Sequence, residues 1–422
     1  MTELVTTQAV TGTCPFAAGT PPSMMFRDDM FDGIAEARRV QPVFYAEDIG
    51  YWVVTRYADV LTVLQDTKRF SARNAAVPVS PVDPDARAIL DGGGFSPEVT
   101  VASIDQPRHT RLRGAFNPQL NPAVVRKLET EIRRIVAGDM ARLEGKQRVD
   151  LLSEFTYELP ARVIFLLLGI PDEDVPIVKE LAVGRFQIDF APSTREQQMT
   201  ASKNLLGLWQ YTVKMVQDRI RNPGDDFISG LLALRNGDDE VLTINEINTI
   251  GYGLVFAGHE TTTNQLTNTI RELLLARENW DAICADPSLV GNAIEEGLRH
   301  CGTVIGWRRM AKEDVELGGV TIPKDAPILL SLAGANRDPA VFEEPEIFDV
   351  RRKNARRHLT LGAGIHFCLG APLTKLEMKI SLEALVTRYP NMHLAPDEDV
   401  PHYETFIMRA PERLMVDLNG QG

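Results

Sequence analysis

Apolar residues recur at three- and four-residue spacings through much of the chain, most clearly between residues 121 and 300. This period matches one face of an α-helix, so the region is predicted to be mostly helical. One helix is predicted to stop at Gly169-Ile-Pro171, because the proline that follows the glycine cannot continue it.

The longest predicted helix begins at Thr243 and runs to about Arg277. Thr243-Ile-Asn-Glu246 forms a capping box, in which the Thr and Glu side chains satisfy each other's free backbone N–H groups. With a rise of 1.5 Å per residue, a helix of about 30 residues would be about 45 to 50 Å long. It is therefore long enough to cross a whole domain.

Short strands are predicted on both sides of the helical region. Residues 51–57 are rich in β-branched and aromatic residues, and a helix follows near Ala58. Residues 314–322 and 328–330 have the same character, and a last helix is predicted from Leu369. The fold class is therefore predicted to be mainly α with small β-sheets.

A long loop is predicted over residues 74–100, which contain Pro78, Pro81 and Pro84 and the run Gly92-Gly93-Gly94. Loops of this length inside a compact domain are usually lids or binding segments.

The composition is that of an ordinary globular protein, with 44% hydrophobic and 24% charged residues among 422. No linker divides it, so residues 21–422 are predicted to form a single domain after a flexible segment 1–20. The net charge of -13 argues against nucleic-acid or anionic-membrane binding. The longest apolar run, residues 163–170, is far shorter than the ~20 residues that span a bilayer. We therefore expect a cytoplasmic protein without a membrane anchor.

Cys368 stands out among the four cysteines because of its surroundings, Gly362-Ala-Gly-Ile-His-Phe-Cys-Leu-Gly-Ala-Pro372. Glycines on both sides would let the backbone approach a flat ligand closely. The helix predicted from Leu369 would point free N–H groups at the sulfur, and these favour the thiolate.

Residues 362–372 resemble the haem-binding loop of the cytochrome P450 family. The resemblance implies the P450 fold, with the long helix crossing over the haem. It implies that the Cys368 thiolate is the axial ligand of haem b, with Gly364 and Gly370 beside the cofactor. Such a thiolate donates electron density to the iron and favours O–O cleavage. One departure is Leu361, where the family usually has Phe.

A second group of residues lies within the long helix, at Ala257-Gly258-His259-Glu260-Thr261. Glycine inside a helix costs ~1 kcal/mol relative to Ala, so Gly258 indicates the close approach of another group. A neighbouring acid and hydroxyl can distort a helix and relay protons, although a kinked helix with solvated side chains has the same sequence. The run is similar to the oxygen-activation motif of the family. This likeness implies that Glu260 and Thr261 are catalytic and that Ala257 and Gly258 contact the haem.

Glu296-Gly-Leu-Arg299 places an acid and a base one helical turn apart, a common and individually weak pattern. It is similar to the Glu-x-x-Arg pair of the family. The resemblance implies a structural role for Glu296 and Arg299, with Arg352 as their third partner.

A buried haem has two propionates that need cationic or hydrogen-bonding partners. His109 and Arg113 are four residues apart and so share a helix face. Between Arg352 and His358 the chain has one more residue than the usual pattern. The positions that match propionate-binding residues of the family are His109, Arg113, Arg309, His358 and His366.

Haem-thiolate oxygenation needs electrons, yet the sequence has neither a G-x-G-x-x-G loop after a strand nor a cluster of iron–sulfur cysteines. A ferredoxin or a flavin/iron–sulfur reductase is therefore expected as electron donor. Residues 42–45 and 283–288 resemble the haem domains of self-sufficient bacterial P450s, so a fused or a separate reductase remains open. A basic patch could steer an acidic donor to the sulfur side of the haem. It comprises Arg351, Arg352, Lys353, Arg356, Arg357, Lys375 and Lys379.

The resemblance places mostly apolar residues around the substrate, which favours an apolar or weakly polar small organic molecule. Hydroxylation, dealkylation and epoxidation all remain open. A peroxide-driven peroxygenase and a non-catalytic haem sensor are alternatives, but Glu260 with Thr261 favours a monooxygenase that uses O2. The predicted pocket residues are Val304, Ile305, Trp307 and Ile407.

Overall fold

The computed structural model describes residues 30–79, 81–191, 193–396, 400–403 and 405–419, so the predicted flexible segment 1–20 lies outside the described residues. Helices dominate, as predicted. They are α1 Met30–Val40, α2 Tyr57–Gln65, α3 Pro84–Gly92, α4 Arg108–Phe116, α5 Pro122–Lys127, α6 Glu129–Leu143, α7 Glu158–Leu168, α8 Val175–Ala182, α9 Arg185–Phe190, α10 Arg195–Arg221, α11 Phe227–Arg235, α12 Ile244–Gly258, α13 Glu260–Leu275, α14 Arg277–Ala285, α15 Val290–His300, α16 Leu332–Ala335 and α17 Ala371–Arg388.

Short strands form small sheets, which confirms the predicted fold class. The strands are β1 Val43–Ala46, β2 Tyr51–Val54, β3 Phe70–Ser71, β4 Arg148–Asp150, β5 Gly306–Ala311, β6 Val315–Leu317, β7 Val320–Ile322, β8 Pro327–Ser331, β9 His393–Leu394, β10 His402–Tyr403, β11 Ala410–Pro411 and β12 Met415–Asp417. The largest sheet has the order β1-β2-β8-β5-β3, in which only β2 and β8 are parallel. The smaller sheets are β4-β12-β9, β6-β7 and β10-β11.

The predicted helix ends have the expected local chemistry. The backbone N–H of Glu246 donates to Thr243 Oγ1 at 3.0 Å, and the N–H of Thr243 donates to Glu246 Oε2 at 3.0 Å, which completes the capping box of α12. Gly169 ends α7 in the left-handed region at φ 75°. These helix ends are determined by residues that are close together in the sequence, and so the sequence predicts them well.

The predicted helix from Thr243 to Arg277 is instead two helices, interrupted at His259, whose φ of -98° and ψ of -80° leave the helical region. The hydroxyl of Thr261 donates to the carbonyl of Ala257 at 2.8 Å. An unbroken helix would offer that carbonyl to the backbone N–H of Thr261, so the side chain competes with the helical ladder.

The prediction of a continuous loop over residues 74–100 is wrong, because α3 lies within it. Asp83 caps this helix by accepting a hydrogen bond from the backbone N–H of Asp85 at 2.9 Å, and Pro84 occupies the first turn. A proline at that position starts a helix because its fixed φ is already helical.

Apolar side chains form one large cluster among the helices and a second between the main sheet and α2. Among the described helices, none combines the length and hydropathy needed to cross a bilayer. The loop that carries Cys368 leads into the start of α17 and packs against the end of α2.

Candidate functional site

The loop before α17 folds back on itself around Cys368. The backbone N–H of Cys368 donates to the carbonyl of Leu361 at 2.9 Å. Gly364 has a φ of +68°, and a Cβ there would lie 2.9 Å from the carbonyl oxygen of Leu64 at the end of α2. Gly364 is therefore required by the close approach of another backbone segment.

Opposing effects act on the pKa of the Cys368 thiol. Burial raises the pKa of its thiol, while the backbone N–H groups of Gly370 and Ala371 and the positive charge of Arg113 oppose that rise. A Cβ on Gly370 would contact the sulfur at 3.8 Å. The N-terminal end of α17 therefore does not by itself deprotonate the Cys368 thiol. A coordinating metal ion would do so, because metal coordination deprotonates a thiol outright.

Four of the predicted propionate ligands lie near this loop. The rings of His109 and His366 are 4.3 Å apart between centroids. Arg113 Nη2 donates to the carbonyl of Phe367 at 2.6 Å, which ties α4 to the cysteine loop. Burial, together with the charge of Arg309 and the neighbouring His109, lowers the pKa of His366 to about 3.

Some polar groups in this cluster of histidines and arginines have no partner among the described residues. His109 Nε2 is buried and has no hydrogen-bond partner among the described residues. Arg309 is 3% exposed and donates to the carbonyl of Arg308 at 2.8 Å, but no described carboxylate forms an ion pair with it. Burial lowers the pKa of Arg309 to about 10, although the negative charge of Asp105, which forms no ion pair with it, opposes that shift. Because buried cations are normally paired, an anion such as a carboxylate would complete the cluster.

His358 does not belong to this cluster, which corrects its predicted role. Its Nε2 lies 3.2 Å from Glu295 Oε2, and the same carboxylate accepts from Lys375 Nζ at 2.9 Å. Burial raises the pKa of Glu295, but these partners more than offset it, so the pKa falls to about 2. Glu295 was not predicted, because its partners come from distant parts of the chain.

Glu260 and Thr261 lie at the interruption between α12 and α13. Burial raises the pKa of Glu260 to about 7, so its carboxyl group titrates near neutrality. The half-buried Thr261 donates to the carbonyl of Ala257, and Ala257 itself is exposed although Val255 and Phe256 before it are buried. The interruption therefore borders open space and presents an acid and an alcohol side by side.

The group that approaches Gly258 closely is Ile164 of α7, since a Cβ on Gly258 would lie 2.6 Å from Cγ1 of Ile164. His259 is 1% exposed, and its Nε2 lies 3.2 Å from the carbonyl of Tyr157. The interruption is thus anchored to α7 and the residue before it.

Glu296, Arg299 and Arg352 form one hydrogen-bonded group. Arg299 Nη2 donates to Glu296 Oε1 at 2.6 Å, and Arg352 Nε donates to the same oxygen at 3.1 Å. Arg299 also donates to the carbonyls of Pro345 and Ile347. These three residues hold the segment after α16 against α15, so their arrangement is structural.

Two of the four predicted substrate residues are packed into the core. Ile305 clusters with Met30 and Ile34 of α1, and Ile407 is fully buried in a separate cluster. Ile305 lies just before β5, and its side chain packs against α1. Val304 and Trp307 are only partly buried.

Comparison with known proteins agrees with this arrangement. Residues 284–418 match the family model described as Cytochrome P450. Nocardicin C N-oxygenase of Nocardia uniformis subsp. tsuyamanensis is 34% identical over 398 residues, covering 92% of this chain and 95% of that protein. 6-Deoxyerythronolide B hydroxylase of Saccharopolyspora erythraea is 31% identical over 407 residues, covering 94% and 97%.

Solved structures are similar over the same length. Cytochrome P450 CREJ in complex with (4-ethylphenyl) dihydrogen phosphate has a TM-score of 0.89 and 37% identity, covering 92% of this chain and 97% of that one. An intact type IV self-sufficient cytochrome P450 monooxygenase has a TM-score of 0.91 and 32% identity. That match covers 96% of this chain but 53% of the longer protein.

Proposed function

Since this chain belongs to the cytochrome P450 family and is a haem-thiolate monooxygenase with haem b as its cofactor, we propose that Cys368 is the iron ligand. Bound through a thiolate, haem activates O2 so that one oxygen atom is inserted into an organic substrate. The observation that carries the assignment is the cluster of two arginines and two histidines beside the cysteine loop, in which Arg309 has no ion-pair partner among the described residues. His109, Arg113, Arg309 and His366 would bind the two propionates there.

Glu260 and Thr261 are proposed to deliver the protons that the reaction consumes. A carboxyl group with a pKa of about 7 exchanges its proton readily at neutral pH, which suits a general acid. The hydroxyl of Thr261 donates to Ala257, so its oxygen stays able to accept a proton from a neighbouring acid. Glu296, Arg299 and Arg352 would hold the fold beneath the cofactor without taking part in the chemistry.

The electron donor is a redox partner, and we propose a ferredoxin or a flavin/iron–sulfur reductase. Its proposed docking surface is the exposed part of the basic patch, which consists of Arg351, Lys353, Arg356, Arg357 and Lys379. Arg352 and Lys375 are already paired with Glu296 and Glu295. The docking surface would place the donor on the side of the cysteine loop, where Phe367 is 42% exposed.

We propose that residues 21–422 form one haem domain that binds a small, apolar or weakly polar organic substrate. Val304 and Trp307 remain candidate contacts. The small aryl ligand of the related CREJ structure supports a substrate of this size. The cytoplasmic location stays a prediction, which cell fractionation would test.

The carbon monoxide spectrum of the reduced protein tests the ligand assignment. A thiolate-type Soret band is expected, and Cys368→His should convert it to a histidine-type band or abolish it. Cys284→Ser changes the other half-buried cysteine and should leave the band unchanged. A histidine-type band in the unchanged protein would contradict the proposal.

A further inference from the structure

A charged cluster lies where α9, α12 and β5 meet. Arg185 Nε donates to Asp189 Oδ2 at 2.5 Å, and Arg185 Nη1 donates to the hydroxyl of Tyr252 at 3.3 Å. The guanidinium carbon lies 5.9 Å from the ring centroid of Tyr252 and 6.0 Å from that of Phe256. Arg185 therefore sits over the last two turns of α12 before the interruption.

The cluster adjoins a proposed substrate contact, because the ring centroids of Phe190 in α9 and Trp307 in β5 are 6.4 Å apart. The carbonyl of Asp189 accepts from the N–H of Val79 at 3.2 Å, and the carbonyl of Phe190 accepts from the N–H of Phe406 at 2.6 Å. Helix α9 is thus fastened to the 74–100 region and to the segment before Ile407. Counting about 1.5 Å per residue from the last turns of α12 across the interruption to the start of α13, Arg185 lies roughly 10 Å from Thr261.

The cluster has one more cation than it has anions. Arg308 is 1% exposed and donates to the carbonyls of Ala75 and Val77 at 2.9 and 2.6 Å. Its Nε has no hydrogen-bond partner among the described residues. The charge of Arg308 acts on Asp189, which already pairs with Arg185. Two guanidinium groups thus share one carboxylate, and burial makes an unbalanced charge costly.

Donors remain free to meet a ligand. The side chain of Arg185 is 23% exposed, and in the part of the chain that is described its Nη2 has no acceptor. Burial raises the pKa of Tyr252 to about 12, so its hydroxyl keeps its proton. A planar anion with two oxygens matches the fork of a guanidinium group better than a neutral ligand does.

We propose that Arg185 and Tyr252, with Arg308 nearby, form an anion subsite, and that the substrate is an organic monocarboxylic acid with an apolar body. A single negative charge would balance the single excess cation. The body would be about one ring with a short alkyl chain, because it has to reach from Arg185 towards Thr261 over about 10 Å. This inference rests on the proposed monooxygenase function and replaces the apolar or weakly polar substrate proposed there by a monoanion with an apolar body.

The test compares 4-ethylbenzoate with its neutral methyl ester on the haem-loaded protein. Binding is measured by the spin-state shift of the haem and, independently, by calorimetry. The acid should bind about 10-fold or more tightly than the ester, the range expected for a charge-assisted hydrogen bond. A protein without a thiolate-type carbon monoxide band would contradict the proposed function, yet calorimetry would still report on the anion subsite.

Variants separate recognition from folding. The pair Arg185→Gln with Asp189→Asn removes the guanidinium donors of Arg185 but leaves the net charge of the cluster unchanged, and should weaken acid binding about 10-fold while leaving ester binding unchanged. Asp189→Asn alone adds net positive charge and should tighten acid binding. Arg195→Gln removes an exposed arginine that pairs with Asp85, and should change neither.

Three results would overturn the proposal. The first is equal binding of acid and ester by the unchanged protein. The second is parallel loss of both ligands in the double variant, which would make the Arg185–Asp189 pair merely structural. The third is tighter binding of 4-ethylphenyl phosphate than of the carboxylate by about 10-fold or more, which would assign the subsite to dianions.

Discussion

The side chains of His109 and Arg309 show best how single residues define the cofactor site. His109 Nε2 is buried without a partner, and the nearly fully buried Arg309 has no paired carboxylate among the residues described. A buried polar group normally has a partner, so the unpaired atom of His109 beside the buried charge of Arg309 indicates an anionic ligand at this loop. His358 has the same residue type as His109 but pairs with Glu295. Each histidine has one buried ring nitrogen without a described partner, so what separates the two is the carboxylate beside His358 and the arginines beside His109.

Glu260 should make stability depend on pH in a defined direction. Its pKa rises from 4.5 to about 7 on folding. Below the unfolded value the group is neutral in both states and contributes nothing. As the pH rises through this window the unfolded chain loses its proton first, so the free energy of unfolding falls and stays lower above pH 7.

Glu260→Gln removes this titration. Urea unfolding of both proteins should therefore show a larger gain from the substitution at pH 8 than at pH 5. Equal differences at the two pH values would contradict a raised pKa at Glu260.

Thr261→Ala should keep haem and substrate binding but divert electrons from product to released peroxide, because the hydroxyl at the interruption is lost. The measurement is the ratio of product and peroxide formed to electrons consumed. Thr262→Ala is the matched control, since the Thr262 hydroxyl lies 3.1 Å from that of Thr374 and serves packing. Unchanged coupling in Thr261→Ala would remove Thr261 from proton delivery.

Among the elements, those set by local chemistry could be predicted and those set by packing could not. The capping box of α12, the left-handed end of α7 and the strands near residues 51 and 328 follow from neighbouring residues. The interruption at His259 depends on a side-chain hydrogen bond inside a helix whose periodicity continues on both sides. Helix α3 was missed because its proline was interpreted as a loop residue rather than as a first-turn residue.

Gly258→Ala tests how tightly the interruption is packed. The new Cβ would overlap Ile164, so the variant should lose about 1 to 3 kcal/mol of stability, as overpacked cores do. Gly138→Ala in α6 is the control, because nothing lies within 4 Å of its Cβ, and it should gain up to about 1 kcal/mol.

A double-mutant cycle with Ile164→Ala assigns the cause of that loss. The cost of Gly258→Ala should largely disappear in the Ile164→Ala background, because the overlapping atoms are gone. Additive costs in urea unfolding would show that the contact with Ile164 is not what requires glycine at 258.

At the scale of the whole molecule, the site joins residues that are far apart in sequence. His109 comes from α4, Arg309 from β5 and Cys368 from the loop before α17. Composition and periodicity carry no information on such long-range contacts, so only the resemblance to a family brought these residues together. The resemblance did not reveal the excess charge around Arg185. That excess becomes visible only once the relative positions of α9, α12 and β5 are known.

The charge distribution of the molecule should control electron delivery. The chain has a net charge of -13, yet Arg351, Lys353, Arg356 and Arg357 are exposed together near the cysteine loop. Long-range attraction to an acidic donor raises association rates and is screened by salt within about 10 Å at 0.1 M. The rate of haem reduction by an acidic ferredoxin should therefore fall steeply as ionic strength rises.

Exchanging Arg356 and Arg357 for Gln should lower that rate several-fold at low salt and remove much of its salt dependence. The same double exchange at the exposed Arg87 and Arg134 changes the net charge equally and should have little effect. Equal effects of the two exchanges would mean that net charge, and not this surface, guides the donor.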